Sequence, residues 1–112
     1  METIGFRVQG SAATPYELSF SKDGNPVTAF CTCPAGETGT ACKHRLSILA
    51  GVKSGVISDN VDQVQVVASW LPGSNLETRM AELDNAEKAV EAAKKAVSAA
   101  KKRLAATMLG RN

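Results

Sequence analysis

Ile4, Phe6 and Val8 alternate with polar or small residues, the period of a half-buried strand. Tyr16, Leu18 and Phe20 repeat the pattern, and a third run extends from Val27 to Cys33. Asp23-Gly24-Asn25 stands between the second and third runs and signals a hairpin. Pro34, Gly36 and Gly39 then predict a loop as far as Ala41. Beyond it Leu46, Leu49 and Ala50 recur at helical spacing, and Gly51 and Gly55 close a short helix. A second short helix is expected from Ser58, a candidate N-cap, with Val61, Val64, Ala68 and Leu71 on its apolar side.

Pro72-Gly73 breaks the chain, and the composition changes after it. Ser74-Asn75-Leu76-Glu77 has the form of a capping box, with Ser74 as cap and Glu77 reaching back. No Gly or Pro follows until Gly110, and alanine dominates with Glu, Lys, Leu and Val. One long helix over residues 76–109 is predicted, roughly 50 Å at about 1.5 Å per residue. Leu76, Leu83, Val90, Val97 and Leu104 are seven apart, and Ala93 and Ala100 occupy the matching second seam position. Such a heptad stripe, narrow at its alanines, lets two helices approach closely. One helix attached to a small domain cannot bury that stripe alone, so a partner helix is expected.

The expected fold is therefore α+β: two or three antiparallel strands with short helices, then a long coiled-coil-like helix. The expected divisions are residues 1–57, a short helix over 58–71, a linker over 72–75 and the long helix. With only 112 residues and few aromatics, the first part has too small a core to be comfortably stable alone, so a staple is expected. The cysteines number three, an odd set that fits a disulfide scaffold poorly. METIGFRVQG lacks the pattern of a signal peptide, and no run is apolar enough for a membrane span. The expectation is an intracellular protein, cytoplasmic or nuclear, with reduced thiols and no membrane partner.

All three cysteines and the single histidine fall between residues 31 and 44, in the spacing C-x-C-x8-C-x-H. Zinc takes four such ligands in a tetrahedron, with Zn–S near ~2.3 Å. Cys31 and Cys33, two apart at a strand end, leave the same face, and a bend at Pro34 lets their sulfurs converge. Residues two apart do not share a helix face, so Cys42 must precede the next helix and His44 must lie in its first turn. Lys43 and Arg45 flank the ligands and can soften the charge of a three-thiolate site. Four protein ligands fill the shell, which points to one structural ion per chain, since a catalytic zinc keeps a position open. A catalytic Cys–His pair would leave two cysteines unexplained.

The stretch CTCPAGETGTACKH, followed by the apolar RLSIL, resembles a SWIM zinc finger over about residues 4 to 52. The family pattern is C-x-C, a variable gap and C-x-H, with a strand or two before it and a helix after. Members occur in transposases, chromatin-remodelling ATPases, ubiquitin-related signalling proteins and recombination-mediator complexes. The resemblance implies zinc binding, with DNA binding or protein–protein contact as roles and no catalytic activity. The long helix is not part of that pattern.

Charge weighs between those roles. Residues 1–75 carry Arg7, Lys22, Lys43, Arg45 and Lys53 against Glu2, Glu17, Asp23, Glu37, Asp59 and Asp62, a sum of −1. Zinc with three thiolates adds −1, so the finger lacks the electrostatic footprint that drives phosphate binding. Residues 76–92 sum to −3, whereas 93–112 carry Lys94, Lys95, Lys101, Lys102, Arg103 and Arg111 and no acid. Acid first and base last suit the helix dipole and an antiparallel pair of identical helices. The expected function is therefore a non-enzymatic interaction module that assembles through its finger surface and helix, with itself or another protein. It would serve as an adaptor, a complex subunit or a small inhibitor. The alternative is a DNA-binding finger that uses Lys43, Arg45 and the basic helix end.

Overall fold

The computed structural model describes residues 1–111. Three strands, β1 (Glu2–Val8), β2 (Tyr16–Lys22) and β3 (Val27–Cys31), form an antiparallel sheet in chain order. The registers pair Phe6 with Leu18, and Leu18 with Cys31. The alternation places Phe6, Val8, Leu18, Phe20, Val27 and Cys31 on one buried face. Phe6 and Phe20 meet edge to face at 5.9 Å.

Two helices close over that face. Helix α2 (Lys43–Leu49) buries Ile48 and Leu49, and α3 (Val64–Ser69), entered through a 3-10 turn at Val61–Gln63, buries Val64 and Val67. Trp70 completes the core. Gly51 ends α2 with φ of +83°, a left-handed conformation that a side chain would oppose.

The expected hairpin turn forms, with the Asp23 N–H donating to the Pro26 carbonyl. Three local expectations need correction. Residues Pro34–Glu37 form a one-turn helix, α1, rather than a loop. Pro34 sits where its missing N–H costs nothing, and the Cys33 sulfur caps the turn by accepting the Gly36 N–H. Ser58 caps no helix: its hydroxyl accepts the Arg7 N–H from the edge of β1. Glu77 does reach back, but to the Gly73 N–H rather than to Ser74. The Ser74 hydroxyl accepts the Leu76 N–H as expected.

Both sheet edges are covered, which removes the template for further strand pairing. Along β1, Gln9 donates to Gly55, Ile57 donates to Arg7, and the Asn60 amide donates to the Gly5 carbonyl. Along β3, Asn75 bonds both backbone groups of Val27, and the Arg45 guanidinium donates to the Ala29 carbonyl.

One compact unit runs from Met1 to Glu77 and a second begins at Thr78. Helix α4 (Asn75–Met108) has 34 residues and buries none of them. Along it run three ion pairs at helical spacing: Arg79–Glu82, Lys88–Asp84 and Lys94–Glu91. Among the described residues no helix is long and apolar enough to cross a membrane.

Candidate metal centre

Cys31 ends β3, Cys33 caps α1, Cys42 caps α2, and His44 lies in the first turn of α2. The two caps explain the paired spacing. Each cap residue is extended, while the residues after it are helical, so its sulfur turns inward toward the partner pair. The expectation that both Cys31 and Cys33 leave a strand is thus corrected, since only Cys31 does.

The three sulfurs and one His44 ring nitrogen all lie within 4.8 Å of one another. His44 Nδ1 stands 3.9 Å from Cys31 Sγ. Tetrahedral zinc at ~2.3 Å from each sulfur needs sulfurs just under ~4 Å apart, so the four groups fit one ion with little rearrangement. All three cysteines are buried and none forms a disulfide. Soft thiolates with one imidazole are the donor set that zinc prefers.

Each sulfur accepts hydrogen bonds from nearby N–H groups. Cys42 Sγ accepts from the Arg45 N–H at 3.5 Å and from its Nε at 3.2 Å. Cys33 Sγ accepts from the Gly36 N–H at 3.3 Å, and Cys31 Sγ accepts from the Cys33 N–H at 3.5 Å. Donors of this kind orient metal ligands and spread their charge. Burial works against ionisation of Cys42, but the Arg45 donors, together with hydrogen bonds from Cys33 and Cys31, outweigh it and hold the thiol below its ordinary value. For Cys31, burial dominates, and with the neighbouring cysteines it pushes the metal-free thiol up to about 12. Burial first, and Lys43 second, lower the His44 pKa, so the ring is held in its neutral, ligating form.

Residues 6–50 match the sequence model of the SWIM zinc finger family. This segment is a SWIM zinc finger. The match and the Cys3His cluster together make Cys31, Cys33, Cys42 and His44 its ligands for one structural zinc ion. No curated protein and no solved structure matches the chain.

Two residues that support the finger carried no signal of that role in the sequence, and a third, Arg45, has a wider role than softening the thiolate charge. Gly36 lies so close to Cys31 that an added Cβ would stand 2.2 Å from the Cys31 carbonyl oxygen. The Tyr16 ring packs on the His44 ring at 5.1 Å, and Gly10 leaves room for it. Arg45, besides bonding Cys42, donates to the carbonyls of Ala29 and Thr40. Its guanidinium therefore ties α2, β3 and the loop before Cys42 together rather than standing free for phosphate.

The other candidate residues lie in two places. Lys43 is exposed beside the zinc ligands. Lys94, Lys95, Lys101, Lys102 and Arg103 are exposed on α4, and Lys94 is paired with Glu91. Along the seam, Leu83, Val90, Val97 and Leu104 are 37%, 53%, 53% and 56% exposed. Ala93 and Ala100 are exposed as well, while Leu76 is half-buried.

Proposed function

We propose that this chain is a non-enzymatic protein–protein interaction module, a zinc-stapled finger that assembles through α4 as an antiparallel homodimer. The observation that carries the reading is the seam of Leu83, Val90, Val97 and Leu104, spaced by heptads and exposed along its length. An isolated helix of this kind gains little from exposing such a stripe, and pairing removes it from water at ~25 cal/mol per Å². Polarity selects direction: the first half of the helix is acidic and the second basic, so antiparallel copies place unlike charges together. Four protein ligands close the zinc shell, and the single histidine is among them, which supports the absence of catalysis. The internal use of Arg45 supports protein over nucleic acid as the partner of the finger.

Cysteine pairing tests the direction. Pairing centred on Val90 sets Leu83 of one copy beside Val97 of the other. Mixed Leu83→Cys and Val97→Cys chains should oxidise to a disulfide-linked heterodimer, while Leu83→Cys alone forms no cross-link between its two copies of residue 83. Oxidation of Leu83→Cys to its own dimer would indicate parallel helices and sink the antiparallel reading.

A further inference from the structure

The outer face of the sheet carries a feature that the zinc site does not use. Phe30 points away from the core and is 66% exposed. It borders a shallow groove of about 690 Å³, whose rim includes Glu17, Glu37, Asp59 and Arg7. Three carboxylates thus face one guanidinium, and none of the four forms an ion pair among the described residues. A lone exposed phenylalanine is ordinary. A phenylalanine set beside a groove with three unpaired carboxylates is suited to a segment that is apolar at its centre and basic around it.

The chain carries that complementary surface itself. Lys101, Leu104 and Met108 recur on one stripe of α4 at three- and four-residue spacing. Leu104 is 56% and Met108 75% exposed. Lys101, Lys102 and Arg103 form no ion pair among the described residues, and no acid occurs from residue 93 onward.

We propose that the Phe30 groove receives the basic end of α4 from a second copy of this chain. Met108 lies against Phe30, and Lys101, seven residues before it on the same stripe, faces Glu17, Glu37 and Asp59. This contact goes beyond the seam pairing and does not depend on it. Each exposed ion pair contributes little, about 0–1 kcal/mol, and the charges are screened beyond ~8 Å at physiological ionic strength. The groove contact is therefore weak and salt-sensitive, whereas the apolar seam is nearly indifferent to salt.

The test mixes zinc-loaded full-length chains, one isotopically heavy and one light, and joins carboxylates to lysines with a zero-length carbodiimide cross-linker. Mass spectrometry should find Glu17, Glu37 or Asp59 joined to Lys101 in heavy–light pairs. These links should fall several-fold in Phe30→Ser and in high salt, yet persist in Val90→Glu, which disrupts only the seam. Phe30 is exposed, so Phe30→Ser should keep its zinc, and metal analysis checks that it does. Absence of these links, their confinement to single-isotope pairs, or their survival unchanged in Phe30→Ser would overturn the proposal.

Discussion

Asn75 holds Val27 by both of its backbone groups: its Oδ1 accepts the Val27 N–H at 2.7 Å, and its Nδ2 donates to the Val27 carbonyl at 3.3 Å. A side chain at the start of α4 thereby takes the place of a neighbouring strand at the edge of β3. Each such bond contributes about 1 kcal/mol net. Asn75→Ala should therefore destabilise the zinc-loaded finger by ~1–2 kcal/mol, although alanine suits the helix better than asparagine. Urea unfolding followed through the buried Trp70 measures this, and an unchanged midpoint would contradict the clamp.

Gly36 is fixed by space rather than by conformation. A Cβ there would overlap the Cys31 carbonyl, a backbone group that cannot swing aside. Gly36→Ala should cost about 1–3 kcal/mol, as overpacking does. It should also weaken zinc binding, because relief of the clash moves the N–H that bonds Cys33. Gly39→Ala is the control for a change in open surroundings, although its φ of +81° brings strain of its own. Competition with a chromophoric chelator should rank wild type above Gly36→Ala in zinc affinity.

Removing a ligand has a larger effect. Structural zinc in small fingers supplies ~10–16 kcal/mol of apparent binding energy, more than most small domains have in total stability. Cys42→Ala should lose both the ion and the fold of the finger, while α4 stays helical. Circular dichroism would then show retained helix, near-ultraviolet signals from Trp70 would collapse, and metal analysis would find well under one zinc per chain.

Acid should release the metal, and the signs can be worked out. The fold lowers the His44 pKa, so neutral His44 contributes stability that is fully present above the unfolded value of about 6.5. That contribution is lost as pH falls through the folded value. Cys31, pushed up to about 12 in the metal-free fold, carries its proton at neutral pH and must give it up to bind zinc. Zinc binding at pH 7 should therefore release at least one proton per chain, and affinity should fall steadily on acidification. Calorimetry in buffers of different ionisation enthalpy counts those protons, and a count of zero would contradict the assignment of Cys31.

Much of this was legible in the sequence because the signals are local. The alternation at Ile4–Val8 and Tyr16–Phe20, the Asp-Gly turn and the C-x-C and C-x-H pairs each act within a few residues. The requirement that Cys42 precede a helix with His44 in its first turn follows from helix geometry alone, and the structure bears it out. What escaped depends on distance or on very short elements. Helix α1 has four residues, too few for any periodicity, and its glycine looks like a loop signal until the Cys31 carbonyl is seen beside it. Ser58 has the composition of a cap, but the edge of β1 competes for its hydroxyl. Arg45 was legible as a neighbour that softens the thiolate charge, but not as a tie, because the carbonyls it joins lie on other elements. The apolar stripe of α3 was displaced by a residue: Val64, Val67 and Trp70 are buried, whereas Ala68 and Leu71 are only half-buried.

The central claim is that the exposed seam of α4 is an assembly surface. Val90 is its middle residue, so Val90→Glu places two like charges together on the axis of an antiparallel pair without touching the finger. Sedimentation equilibrium at tens of micromolar measures the outcome directly. Wild type should sediment at twice the chain mass with little change on adding salt, and Val90→Glu should sediment at the chain mass with its zinc retained. A wild-type monomer at that concentration would contradict the account.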